Sequence, residues 1–298
     1  MASIQLATAL GVELPAIQVL DVGAMMEHED RYQLLVDQGL AEVTGFEPNP
    51  EKLRELLEAR RDPYRYLPYF LGRGEPATFY FTRYPGCSSL YPPDPDVIDL
   101  FTGVGTGPGE KFEVIESSRV ETRRLDDLDE VPTPDFVKID VQGAALDVLH
   151  GGRERVSEAL VLEVEAEFVP LYKGQPLFGD IQLFLGSRGF VLHKFIDVAG
   201  RAIAPFSNNP NPMEPVSQIL YADAIFVREF TRLAGFSDSD LLKAATILHE
   251  LYRSVDLVNH LLGEHGRRRN THFARDYLEA VESSGGVASM VLNIRPPG

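Results

Sequence analysis

From Ile17 to about Glu229, short apolar runs alternate with stretches of three- and four-residue apolar spacing. That alternation predicts a βαβ series around a mostly parallel sheet. The first strand spans Ile17–Val22 and runs into a helix with Tyr32, Leu35 and Val36 on its inner face. The second, "AEVTGFE" at 41–47, feeds a helix that Asn49 caps, with Pro50 in its first turn and Leu53, Leu56 and Leu57 as its apolar stripe. A third strand is expected over 66–71, and "ATFYFTR" reads as another. A Pro- and Gly-rich connection at 84–109 is long enough to be either functional or mobile. Extended residues resume in "KFEVIESSRVETRRL". "DFVKID" and "ALVLEVEAEF" follow as core strands, then the helix "PLFGDIQLFLGSRG", stopped by Gly189. "FVLHKFID" and "SQILYADAIFVRE" close the sheet as an antiparallel pair.

Beyond Glu229 the period is purely helical. Residues 237–263 carry Leu241, Ala245, Leu248, Tyr252, Val255 and Leu262 on one stripe. Ser237 and Asp240 suit a capping box and Gly263 a C-cap; a second helix starts at Thr271. The chain therefore divides into an α/β domain at 1–229 and a C-terminal helical appendage at 230–298. The appendage's apolar stripe calls for cover, either by the parent domain or by a second copy in a homodimer.

Composition narrows the functions. The net charge of −17 lacks the basic footprint that phosphate contacts require, which argues against a nucleic-acid partner. No apolar run approaches the roughly 20 residues of a membrane span. The single cysteine, Cys87, and the absence of a signal-peptide layout at the start point to a reducing, cytoplasmic setting. No Cys/His cluster suggests zinc, and no G-x-S-x-G elbow suggests a serine nucleophile.

In an open parallel sheet the ligand sits outside the carboxyl ends of the strands, so those tips carry the chemistry. They are 21–24, 47–49, Leu71 with Gly72, 140–143 and 163–167. Gly23 offers a backbone without a Cβ, and Glu47 stands where an acid can accept from a ribose diol. Both also read as ordinary βα turns with capping acids. The turn after Gly23 holds two methionines and several acids, which would repel a pyrophosphate and disfavours NAD. It suits a cationic, phosphate-free cofactor, of which S-adenosylmethionine is one. Asp140, Glu165, His193 and Asp223 are the candidate bases. Asp140 also reads as a helix cap, and His193 as a packed or surface histidine. Glu163 and Glu165, facing one side of a strand tip, suit polyol hydroxyls, a divalent cation or plain solvent.

The ordered segments "VLDVGA", "GFEPNPEKL", "CSSL", "VETRRLDDL", "VKIDVQGAALDVLHGG" and "YADAIFV" resemble those of the FkbM-type methyltransferases, over roughly 17–227. The resemblance implies a Rossmann-like class I methyltransferase fold with S-adenosylmethionine as cofactor. It also implies O-methylation of a hydroxyl on a small acceptor, a sugar or other natural product. By position, Asp21, Gly23 and Ala24 would line the methionine end. Glu47 would hold the ribose, Pro48 and Asn49 would shape the adenosine wall, and Leu71 and Gly72 would flank the adenine. Asp140 would stand where cofactor and acceptor meet, with Glu165 and Asp223 as further catalytic candidates. The chain departs from the family pattern at Gln142 and Ala145, where glutamates are usual, and at Met25 and Glu27 in the first loop. Those departures keep a second reading open, a nucleoside-binding homologue without turnover that works inside a biosynthetic complex.

Overall fold

The computed structural model describes residues 4–25, 30–207, 211 and 213–284. In chain order its strands are β1 (Ile17–Val22), β2 (Ala41–Phe46), β3 (Tyr64–Leu67), β4 (Phe70–Leu71), β5 (Pro76–Thr82), β6 (Val114–Arg123), β7 (Phe136–Ile139), β8 (Val161–Glu167), β9 (Phe190–Gly200) and β10 (Ile219–Arg228). The helices are α1 (Leu6–Leu10), α2 (Gln33–Asp37), α3 (Pro50–Ala59), α4 (Pro95–Ile98), α5 (Ala145–Gly151), α6 (Arg153–Ser157), α7 (Phe178–Gly186), α8 (Asp238–Glu250), α9 (Val255–Arg269) and α10 (Phe273–Ser283). Two compact units result. One comprises 17–30 and 41–229; the other comprises 1–16, 31–40 and 230–298.

The α/β unit holds a seven-stranded sheet in the order β3-β2-β1-β7-β8-β10-β9. The pairs from β3 to β8 are parallel, and β10 runs antiparallel to both β8 and β9. This is the mostly parallel sheet with an antiparallel closing pair that the alternating pattern predicted, and it has the Rossmann-like layout that the resemblance implied. Val137, Ile139, Leu162, Val164, Ala224 and Phe226 pack in its core with residues of α5 and α7. Chain order reverses direction between β1 and β7, which makes their tips the switch point where such sheets bind ligands. A smaller sheet pairs β4 with β6 in parallel and β5 with β6 antiparallel.

Two expected elements are divided. The strand expected over 66–71 is split at Pro68, which has no N–H for a ladder, so β3 and β4 enter different sheets. The single helix expected over 237–263 is α8 followed by α9. Arg253 turns the backbone into the left-handed region (φ 52°), and no glycine or proline marks the break. Gly263 is not a C-cap but lies inside α9, which runs on to a left-handed Asn270. The capping box at Ser237 and Asp240 forms as expected.

The helical unit is discontinuous in sequence, and two buried polar residues show why. Glu250 accepts the Leu6 backbone N–H at 2.7 Å on one carboxylate oxygen and the Gln38 side-chain amide at 2.9 Å on the other. His249 donates from Nε2 to the Ile4 carbonyl at 2.7 Å and accepts from the Tyr277 hydroxyl at Nδ1, 3.0 Å away. A carbonyl can only accept, so this tautomer follows, and burial lowers the His249 pKa to keep the ring neutral. The stripe residues Leu241, Leu248 and Tyr252 are buried. Glu250→Ala should therefore orphan the Leu6 N–H and cost about 1–3 kcal/mol. Limited proteolysis checks this: cleavage before Ile17 is expected to quicken, and an unchanged pattern would contradict the assignment.

Candidate functional site

The tips of β1, β2 and β7 are locked by backbone bonds. Asp140 donates to the Val22 carbonyl at 2.9 Å, and Gly23 and Ala24 both donate to Phe46, at 3.3 and 3.1 Å. Gly23 has φ +93°, and a Cβ on it would fall 1.9 Å from the Asp140 carbonyl oxygen. Its bare face is thus occupied by protein backbone. Ala24 packs with Leu56 and Tyr66.

One register step below the tips lies a row of alternating charge. Lys138 on β7 stands opposite Asp21 on β1 and Glu163 on β8. Its ammonium lies 3.5 Å from Asp21 and 3.4 Å from Asp30. Asp30 also receives the Arg60 guanidinium at 3.3 Å. Burial pulls the Lys138 pKa down, but Asp21, Asp140, Asp30 and Glu163 together hold it well above the usual lysine value. Glu47, 4% exposed, accepts the Asn49 N–H at 2.6 Å. Burial pushes its pKa up to about 7, the Asn49 bond and Lys52 oppose the rise, and Asp21 adds to it. A cationic ligand bearing hydroxyl donors would relieve this ensemble of acids, so the chemistry of the tip suits S-adenosylmethionine.

At the tips themselves the catalytic candidates converge. Asp223 on β10 sits directly opposite Glu165 on β8. The Gln142 side-chain nitrogen donates to Asp140 Oδ1 at 3.0 Å and to Glu165 Oε1 at 2.7 Å. Burial, then the charges of Asp140, Glu167 and Asp223, keep the Glu165 carboxyl well above the carboxylate range, against the pull of Lys138. Glu167 is pushed up to about 7, chiefly by burial. Asp140 does not cap α5, whose N-cap is Ala144 with no side-chain bond.

The long connection at 84–109 is tied to this site. Ser89 donates to the Gln142 carbonyl at 2.5 Å, and the Tyr172 hydroxyl shares its one hydrogen between the Cys87 carbonyl at 3.0 Å and the Gln142 side-chain oxygen at 3.2 Å. Cys87, Ile98, Phe101 and Phe112 form a second small core with Leu171, Tyr172 and Leu220. Part of the long connection is thus buried against residues outside it.

Other expected residues have packing roles. Asn49 caps α3 by accepting from Glu51 and Lys52, and Pro48 precedes it, half-buried. Leu71 joins the main core, and a Cβ on Gly72 would fall 3.1 Å from Thr122. His193 lies on the outer strand β9, at a shift of register between Leu192 and Lys194. Met25 is half-buried, and Glu27 lies outside the described residues. The sequence marks Glu167 only as the end of the 163–167 tip and does not mark Lys138, although a lysine inside "FVKID" is the kind of interruption of an apolar strand that accompanies a buried ion pair. Among the described residues no three His, Cys, Asp or Glu side chains converge as a metal site, and no helix is long and apolar enough to cross a membrane.

The strand order, the reversed β10 and the acid-lined switch point define a Rossmann-like methyltransferase fold. The chain belongs to the family of methyltransferase FkbM domains, whose model matches residues 21–192. It is thus a methyltransferase-family protein with S-adenosylmethionine as its cofactor. No curated protein matches it. Two solved structures are similar. Magnesium protoporphyrin IX methyltransferase from Synechocystis PCC 6803, with bound SAM, is 14% identical over 75% of this chain and 76% of that one, with a TM-score of 0.36. A Thermoplasma acidophilum protein described as a methyltransferase is 11% identical over 77% of each chain, with a TM-score of 0.36.

Gly23→Ala should be destabilised even without ligand, because the left-handed φ and the Asp140 carbonyl both reject a Cβ. Urea melts should show a loss of at least about 1–3 kcal/mol. A stability equal to the wild type would mean that the β1 and β7 tips are not held this close.

Proposed function

We propose that this protein transfers a methyl group from S-adenosylmethionine to a hydroxyl of a small, polyhydroxylated acceptor, a sugar or other natural product. The observation that carries the reading is the meeting of Asp140, Glu165 and Asp223 beside the switch point. When bound, the cofactor supplies an electrophilic methyl group on a sulfonium. In this reading Asp21, Gly23 and Ala24 line its methionine end, and Glu47 accepts from the ribose hydroxyls. Pro48 and Asn49 support the adenosine wall by shaping the turn. Leu71 and Gly72 flank the adenine in this reading, with Leu71 also packed in the main core.

Asp140 orients the acceptor hydroxyl and takes its proton. Glu165, held protonated by burial and its acidic neighbours, donates to an acceptor oxygen, and Asp223 accepts from a second hydroxyl. Ser89 and Tyr172 draw the 84–109 loop over Gln142 and so shield the reacting atoms from water. Calorimetry with S-adenosylmethionine and S-adenosylhomocysteine, followed by labelled methyl transfer to pooled sugars and natural products, tests the reading. Failure to bind either nucleoside would end it. Tight binding with no transfer to any pool would favour the non-catalytic binder.

Two expectations follow from named carboxyls. A ribose diol makes its two charge-assisted hydrogen bonds to Glu47 when that carboxyl is ionised, and burial pushes its pKa up to about 7. Binding should therefore release a proton, and the Kd should rise as pH falls below about 7, by up to about tenfold per unit, and flatten above it. Glu47→Gln should weaken binding by about 1.5–3 kcal/mol and flatten the pH profile. A pH-independent wild-type Kd would remove Glu47 from the ribose. Asp140→Asn should leave cofactor affinity near normal while slowing transfer by about 10²–10⁴. Near-normal turnover in that variant would shift the base to Glu165 or Asp223.

A further inference from the structure

Gln142 is held in an uncommon conformation by an unusually complete set of bonds. Its backbone is left-handed (φ 50°), which a residue with a side chain adopts only at a cost. Ser89 fixes its carbonyl at 2.5 Å, and the Tyr172 hydroxyl, shared with the Cys87 carbonyl, lies 3.2 Å from its side-chain oxygen. The side-chain nitrogen then bonds Asp140 at 3.0 Å and Glu165 at 2.7 Å. A primary amide has two donor hydrogens, and both are used. The nearby cation, Lys138, is committed one row below to Asp21 and Asp30. Carboxyls converging in a low-dielectric site are relieved by a proton on one of them, as burial favours at Glu165, and by a donor or a cation placed between them.

We propose that Gln142 is a positioning residue whose amide nitrogen takes the place of a cation between Asp140 and Glu165, so that the one change Gln142→Glu creates a divalent-cation site of three carboxylates. The assignment of these carboxylates to the acceptor rests on the methyl-transfer reading; the amide's place between them does not. Each carboxylate would offer one oxygen, with water completing the shell of a hard cation. An ionised glutamate has no donor hydrogen, so it can link to Asp140 only through such an ion, and to Glu165 only through that ion or through a proton that Glu165 holds.

The experiment uses the full chain and Mn²⁺ alone, followed by the loss of the free-ion electron paramagnetic resonance signal. Gln142→Glu should bind Mn²⁺ at least about tenfold more tightly than the wild type, and Mn²⁺ should raise the melting temperature of the variant only. Adding Glu165→Gln to the variant should abolish the gain. A variant that binds Mn²⁺ no better than the wild type overturns the proposal, as does a wild type that binds it equally well through Glu165. Gln142→Met, neutral and of similar length, keeps the test open if the charged variant folds poorly. With carboxyl-labelled glutamate, loss of the amide donor should move the Glu165 titration upward by about one unit or more. Facing Glu165 in that titration are Asp140 and Lys138 from the β7 segment, Glu167 on its own strand, Asp223 and Tyr221 on β10, and Tyr172. An unmoved midpoint would overturn the proposal. If the wild type fails to bind S-adenosylmethionine, the methyl-transfer reading falls while the Mn²⁺ result still decides the role of Gln142.

Discussion

Negative charges crowded at the ends of parallel strands are the constraint on which the rest of this α/β unit depends. Asp140, Glu165, Glu167 and Asp223 meet at the tips of β7, β8 and β10, with Asp21 and Glu163 one row below. Left alone, such a set would repel itself apart or take up protons. Three devices hold it. Lys138 neutralises the lower row from the centre. The Gln142 amide links the upper one. Burial leaves Glu165 and Glu167 reluctant to ionise. A site built this way has acids of unequal proton affinity side by side, which is the condition for one to accept a proton while its neighbour donates a hydrogen bond.

The backbone brings these groups together through close approach. Gly23 lets the Asp140 carbonyl lie where a side chain would be, and the Asp140 N–H bonds Val22 on the same strand tip. A second close approach occurs behind the sheet, where a Cβ on Gly151 would fall 1.8 Å from the Gly72 carbonyl oxygen, seating α5 against the end of β4. Loop residues then reach the site through few bonds. Ser89 bonds the Gln142 backbone carbonyl, and Tyr172, which also reaches the Cys87 carbonyl of the 84–109 loop, lies beside the Gln142 side-chain oxygen.

The helical unit follows a different principle. Its apolar stripes supply most of the burial, and its buried polar residues set which segments join. Glu250 selects the start of α1 and the end of the 31–40 segment, and His249 reaches Ile4 and Tyr277. Each of these bonds satisfies a buried group that would otherwise be costly, which makes the arrangement specific.

Much was legible from the sequence. Apolar periodicity determined the strands of the main sheet, their parallel run and the reversed pair, but not the split of 66–71 into β3 and β4, because period is a local property and sheet membership is not. Asn49 with Pro50, and Ser237 with Asp240, determined helix starts, because capping acts over three or four residues. Strand ends alone marked Glu47, Asp140 and Glu165 as chemistry-bearing. The tertiary structure decided the rest. The break at Arg253 carries no glycine or proline, so only the surrounding packing could impose it. The recruitment of Leu6 and Gln38 by Glu250 spans more than two hundred positions, beyond any local signal. Gln142 reads in the sequence as a departure from an acidic pattern. Its function as a link appears only when β7 and β8 lie side by side, because a hydrogen bond between residues 23 positions apart depends on the register of the sheet and not on spacing along the chain.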